Sequence, residues 1–274
     1  MIRLTENFVG LKLHGGISVV EDIILGADER LDEVNEAIRL ISKTDGLTFG
    51  TDAYMLASFI RPQASAVAAE LGAGTGIISL LLAARGRLKK IYAVEVQADF
   101  AELTSRNVEL NRLGDRIETV HSDVRDLKAK DLGGELDVVF SNPPYMRTDS
   151  GKRNESERKY IARHEVRGGV CDFCLAASRL LKHGGRFYCV WRPDRLSELM
   201  TALTGASLEP KSMVFVHADV NSEPSMVLVS ATKFGSPGMR IMPPLVLHTE
   251  EKTEGGRPMS QRAARIYETM SFYE

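Results

Sequence analysis

Cysteine is scarce. The 274 residues hold only Cys171, Cys174 and Cys189, too few and too unevenly spaced for the disulfide framework of a secreted scaffold. A reducing compartment is expected, and the protein reads as cytoplasmic. The pair in CDFC, 171–174, has no second Cys pair and no His pair at ligand spacing. Two thiols on a helix are therefore expected rather than a zinc or redox centre, and no metal. Long apolar runs are also missing. The longest, IISLLLAA from Ile77 to Ala84, falls far short of the ~20 residues that span a bilayer, so no membrane association is expected. The segment MIRLTENFVG lacks the charged, apolar and small-residue order of a secretory signal. Nor is there an excess of one charge: Lys+Arg 35 against Asp+Glu 37 gives a formal −2. No global basic field advertises nucleic acid, so a polyanionic partner must be met by a local patch.

What is present is enough apolar material, 43%, for one large α/β domain or one domain with appendages. From Ala66 to Lys233, short β-rich runs alternate with helix-period segments, the pattern of a doubly wound, mostly parallel sheet. The predicted strands are AVAAEL (66–71), KIYAVEV (90–96), IETVHS (117–122), LDVVFS (136–141) and RFYCVW (186–191). GIISLLLAAR, ADFAELTSRNVELNRL and VCDFCLAASRLLK place apolar residues at helical spacing between them. Further on, SMVFVHA (212–218) and MVLVSATK (226–233) are separated by DVNSEPS, too short for a crossover helix, so these two strands should pair antiparallel. Upstream, IRLIS and GLTFG flank the turn signal KTDG and suggest a hairpin leading into the helix TDAYMLASFI, with Thr51 or Asp52 as its cap. Residues 1–28 form an extension of unassigned role. Residues 236–274, with MPPLVL and SQRAARIYETM, read as a strap and amphipathic helix that pack on the rest.

The chemistry collects at strand ends. ELGAGTG (70–76) puts Gly72, Gly74 and Gly76 at a strand-to-helix turn, where glycine allows close approach of a ligand and the helix start offers N–H groups. A dinucleotide fingerprint would need its last glycine at position 77, which holds Ile77. Glu95 ends the second strand, about 20 residues after the loop, where a carboxylate can accept from ribose hydroxyls. Asp123, in SDVRDL, stands where an adenine amino group could be received. After the fourth strand comes SNPPY (141–145), a stiff loop in which two prolines remove backbone donors. Asn142 supplies an amide oxygen and Pro143 a carbonyl, two acceptors for the two N–H bonds of an exocyclic amine. Tyr145 supplies a ring on which a base can stack.

ELGAGTG, Glu95, Asp123 and NPPY together resemble the S-adenosylmethionine-dependent amino methyltransferases. FGTDAYMLASF, ARHE (162–165) and the MVLV to MPPLVL tail look like the bacterial valine-tRNA adenine-N6 methyltransferases within them. The resemblance covers roughly residues 30–274. It implies a seven-stranded sheet with a terminal antiparallel hairpin, and a methyltransferase domain over 29–235. It also implies S-adenosylmethionine as cofactor, met by Thr51, Asp52, Glu70, the three glycines, Glu95, Asp123, Val124 and Asn142. The implied reaction is direct methyl transfer to N6 of an unpaired adenine in a tRNA, in the anticodon loop of a valine tRNA. Asn142, Pro143 and Tyr145 are the implied catalytic residues, and no general base is expected.

A stacked base cannot reach such a clamp, so the target must be unpaired or flipped. The segment 147–167 carries seven Lys and Arg against four Asp and Glu, a local basic patch in an acidic protein. Lys152, Arg153, Arg158, Lys159, Arg163 and His164 are its expected RNA contacts, His164 in a structural or RNA-contact role rather than in catalysis. NPPY also serves glutamine side-chain and DNA-adenine methyltransferases, because their nitrogens pose the same hydrogen-bonding problem. A non-catalytic cofactor-binding subunit is a further alternative, which the intact clamp disfavours. A nicotinamide dehydrogenase is disfavoured by Ile77 and the terminal hairpin. The expected partner is tRNA, with no obligatory protein partner evident.

Overall fold

The computed structural model describes residues 25–44, 50–143, 169–251 and 256–273. In chain order the first elements are β1 (Glu29–Asn35), β2 (Ile38–Lys43), α1 (Thr51–Phe59), β3 (Gln63–Leu71), α2 (Ile77–Ala84) and β4 (Leu88–Glu95). Next come α3 (Ala98–Leu110), β5 (Ile117–His121), β6 (Leu136–Ser141), α4 (Val170–Leu180) and β7 (Leu181–Trp191). The last are α5 (Leu196–Gly205), β8 (Leu208–His217), β9 (Pro224–Lys233), β10 (Arg240–Ile241), β11 (Leu245–Val246) and α6 (Gln261–Thr269).

Side chains alternate across a strand, so a strand buried on both faces feeds two cores and reads as a nearly continuous apolar run. Ala66 and Ala68 of β3 enter one core, Ala69 and Leu71 the other. In β7, Tyr188 and Val190 oppose Phe187, Cys189 and Trp191 in the same way. Helices α1, α2 and α6 pack in the first core, α4 and α5 in the second. The main sheet runs β10-β8-β9-β7-β6-β3-β4-β5, with β11 also on β8. Strands β3 to β7 are mutually parallel, and β9 lies antiparallel to both β7 and β8. The doubly wound sheet and its antiparallel hairpin are thus present, as seven long strands edged by two short ones.

The structure differs from expectation in three places. IRLIS has a partner that was not expected, while all of GLTFG but Gly50 falls outside the described residues. Strand β2 pairs antiparallel with β1 across Glu36 and Ala37. The turn needs no glycine because the Asn35 side chain accepts from Ala37 N at 2.9 Å, the local bond by which asparagine mimics a backbone turn. Helix α5 was not expected. Strand β8 lies parallel to β7 two places away, and only a crossover can connect strands in that relation. Finally, the N-cap of α1 is Gly50, with no side-chain cap bond, so neither Thr51 nor Asp52 caps it. In CDFC, Cys171 is exposed and Cys174 buried, its thiol pushed up to about 12 by that burial.

The described part of the C-terminal segment packs on the sheet edge and on α1. Strands β10 and β11 extend the β8 edge, and α6 lies on α1. Tyr54 and Tyr267 stack with centroids 4.6 Å apart, and Tyr54 Oη donates to the Tyr267 carbonyl at 2.6 Å. Arg87 donates to the Thr269 carbonyl at 2.9 Å, a cation at the negative end of α6. Among the described residues, no helix is long and apolar enough to cross a membrane.

Candidate functional site

One row of paired residues places the site. Val120, Val94, Leu71, Ser141 and Cys189 are register partners across β5, β4, β3, β6 and β7. The glycine loop, Glu95, Asp123 and Asn142 follow those positions directly, so all four sit on the carboxyl edge of the sheet. From β3 the chain winds outward through β4 and β5, then returns to β6 on the other side. The crevice between β3 and β6 is the switch point where ligands bind in such sheets. Ser141 Oγ donates to the Leu71 carbonyl at 2.7 Å and so fixes Asn142 relative to the loop.

All three loop glycines have positive φ: +74° at Gly72, +58° at Gly74 and +80° at Gly76. A side-chain carbon at Gly76 would lie 2.9 Å from Thr104 Cγ2, whereas one at Gly74 would meet nothing within 4 Å. Gly76 is thus required by packing and backbone, while Gly74 leaves an open cradle beside the crevice. Helix α3 braces the loop: Thr104 Oγ1 donates to the Gly74 carbonyl at 2.7 Å, and the fully buried Asn107 donates to the Thr75 carbonyl at 3.0 Å. Asn107 also exchanges bonds with the Ile41 backbone at 2.7 and 3.0 Å, tying the loop to β2. The sequence reading missed both residues. Their signal is two polar side chains three apart on the buried face of α3.

Glu95 is buried and ties three segments together. Its Oε2 accepts from Gly74 N, and its Oε1 from Val96 N and Gln97 N, each at 2.9 Å. Of a carboxylate's roughly four acceptor directions, one remains for a ribose hydroxyl where two had been expected. Glu70 does not reach the crevice. The two-residue alternation of β3 turns it under α2, where Oε2 accepts from Ser79 N at 3.0 Å and Ser79 Oγ at 2.5 Å. Complete burial pushes its carboxyl up to about 8, against the lowering effect of the Ser79 bonds. It supports the helix start, and takes one of the N–H groups that start was expected to offer.

Asp123 is not an open acceptor. Both its oxygens are engaged by the Arg125 guanidinium, at 2.5–3.1 Å, which holds its carboxyl below the usual range. The pair is part exposed, so exchange of Arg125 for a ligand is inexpensive. Val124 is buried, and Arg179 of α4 donates to its carbonyl at 2.6 Å.

Asn142 is half-buried, and its Nδ2 donates to Asp52 Oδ2 at 2.8 Å. A carboxylate only accepts, so this bond fixes which end of the amide is nitrogen. Pro143 follows, buried. Thr51 and Asp52 line a cavity of about 670 Å³, with Trp191–Asp194 at and just past the end of β7 and Glu223–Met226 at the start of β9. The site therefore has two halves: the loop, Glu95 and Asp123 over β3–β5, and Asp52, Asn142 and the cavity over β6, β7 and β9. Tyr145, Lys152, Arg153, Arg158, Lys159, Arg163 and His164 lie outside the described residues.

The open cradle at Gly74, the spare acceptor on Glu95 and the exchangeable Asp123 fit a nucleoside-bearing cofactor. Known proteins agree. The model of the TRM5/TYW2 methyltransferase domain matches residues 59–147. A predicted O-methyltransferase from Agrobacterium tumefaciens superposes with a TM-score of 0.64 at 23% identity, over 81% of this chain and 98% of that one. TYW2 of M. jannaschii, solved with AdoMet, gives 0.52 at 14% identity, over 77% and 87% of the two chains. The tRNA1(Val) (adenine(37)-N6)-methyltransferase of Phocaeicola vulgatus is 33% identical over 181 residues, 66% of this chain and 75% of that protein. With that identity and coverage, the chain belongs to the family of the tRNA1(Val) (adenine(37)-N6)-methyltransferases, S-adenosylmethionine-dependent enzymes built on this fold.

Proposed function

We propose that the protein methylates N6 of the unpaired adenine at position 37 of a valine tRNA. The observation that carries this reading is the placement of Asn142 and Pro143 at the end of β6, beside the glycine loop, with the Asn142 amide nitrogen held by Asp52. The cofactor supplies an electrophilic methyl group on a sulfonium. Glu95 and the loop around Gly74 would hold it by its nucleoside.

The remaining chemistry belongs to the clamp. The lone pair of an adenine amine is delocalised into the ring. Acceptors at the Asn142 oxygen and the Pro143 carbonyl draw its two N–H bonds toward tetrahedral geometry and localise that pair for in-line attack. As nitrogen gains positive charge its proton becomes acidic, so no strong base is needed. The 670 Å³ cavity beside Asp52 is within the size range of sites that enclose a small ligand. The cationic segment after Tyr145 supports an RNA substrate. Such a reaction places the enzyme in the cytoplasm.

The test is methyl transfer to an unmodified valine tRNA transcript, with products digested and weighed as nucleosides. N6-methyladenosine from the transcript, and none from one carrying guanine at position 37, supports the reading. Transfer to a release-factor glutamine or to duplex DNA instead would replace it.

A further inference from the structure

We infer that Asp52 is a positioning residue on the substrate side of the site: its carboxylate holds the Asn142 amide so that the oxygen faces the incoming amine. This rests on the reading of Asn142 as acceptor of the target N–H. An asparagine amide has two ends of nearly equal shape, and a clamp made with the nitrogen forward would repel the amine it must bind. Packing alone discriminates poorly between the two. A carboxylate facing one end discriminates strongly, because it can only accept and its bond to an N–H is charge-assisted. The 2.8 Å bond from Asn142 Nδ2 to Asp52 Oδ2 is such a bond.

Two further observations point the same way. Asp52 lines the cavity over β7 and β9 together with Trp191 and Met226, whereas the loop bearing Gly74 is held by Glu95 and Thr104. Gly50 also makes room for this carboxylate. Its φ of −99° and ψ of 176° are open to any residue, yet a side-chain carbon there would sit 2.5 Å from Asp52 Oδ1. Alanine at position 50 keeps the backbone and the charge but pushes the carboxylate off its place.

A double-mutant cycle tests the inference. Turnover is measured at saturating S-adenosylmethionine for wild type, Asp52→Ala, Asn142→Ala and the double variant, on whichever substrate the wild type methylates. Cofactor affinity is measured by calorimetry, and melting temperature confirms folding. Asn142→Ala is expected to lose ~10²-fold or more, and Asp52→Ala ~10- to 10²-fold. The double variant should be no slower than Asn142→Ala alone, with cofactor affinity nearly unchanged throughout. Gly50→Ala should lose turnover while melting and binding cofactor like wild type. Losses that add in the double variant, a defect of Asp52→Ala confined to cofactor affinity, or full turnover in either Asp52→Ala or Gly50→Ala overturn the inference. A wild type active on glutamine rather than adenine defeats the substrate reading alone, and the cycle run on that substrate still decides the role of Asp52.

Discussion

Glu95 holds three backbone N–H groups at once, and glutamine in its place separates charge from shape. A glutamine oxygen can keep Val96 and Gln97, but its NH2 then faces Gly74 N, donor against donor. Leaving one such group unsatisfied costs about 1–3 kcal/mol. In Glu95→Gln the loop loses its anchor and, on the proposed reading, the ribose its acceptor, so cofactor affinity by calorimetry should weaken roughly 10- to 100-fold; unchanged affinity would remove Glu95 from the cofactor site. Glu70 makes a prediction of a different kind. A carboxyl pushed up to about 8 keeps its proton in the folded chain where the unfolded chain has lost it. Below the ordinary value of 4.5 both states are protonated and nothing is lost. Between 4.5 and 8 only the folded state holds the proton, so stability falls as pH rises, by at most about 1.4 kcal/mol per pH unit. Above 8 the loss levels off. Glu70→Gln removes this dependence. Its melting temperature relative to wild type should climb from pH 5 to pH 8 and stay flat below 4.5; parallel profiles would show that Glu70 is ionised in the fold.

Helix α6 holds α1, and α1 presents Asp52 from its first turn, so a contact far from the crevice should be felt inside it. Tyr267→Ala removes the stack on Tyr54 and should cost about 2 kcal/mol, a fall of roughly 4–8 °C in melting temperature for a domain of this size. Turnover should fall further than stability requires, while cofactor affinity, which the proposed reading assigns to the loop braced by α3, holds; equal losses in both would mean that α6 braces the whole domain rather than α1. These same elements show what was readable beforehand. Strands such as LDVVFS were legible because two-sided burial forces an uninterrupted apolar run. The glycine loop, Glu95 and Asn142 were legible because parallel strands send their ends to one edge. The β1–β2 hairpin was not, since its turn signal is the side chain of Asn35 rather than a glycine. Helix α5 was readable in principle from Leu196, Leu199, Met200 and Leu203, but its necessity follows from strand order, which local spacing does not contain. The bond between Asp52 and Asn142 spans 90 positions, and the commitment of Asp123 to Arg125 depends on a side-chain rotamer; neither leaves a periodic trace.

The molecule as a body is mildly acidic, at a formal −2, and must still bind a polyanion. Many of its described cations are already committed to carboxylates: Arg106 to Glu29, Arg125 to Asp123, Lys182 to Asp137, Arg192 to Asp194 and Arg195 to Glu198. A pair of this kind presents almost no net field to a phosphate chain. The surplus lies in residues 147–167, where seven cations meet four carboxylates. If that segment supplies the phosphate contacts, tRNA affinity should fall with salt as counterions return to the RNA. The logarithmic slope for unpaired RNA is about −0.7 per phosphate neutralised, which bounds it near −5 for all seven cations and near −2 for the surplus alone. Replacing Lys152, Arg153 and Arg158 together by alanine should flatten the slope by roughly 2 and weaken binding to every tRNA alike, because phosphates carry no sequence. On the proposed reading, in which Asn142 and Pro143 receive the amine, discrimination between adenine and guanine at position 37 should survive. Filter binding across a salt series on wild type and the triple variant measures both quantities. A slope unchanged by the triple substitution would move the RNA track to another face, and a loss of base discrimination would move the reading of the amine into the cationic segment itself.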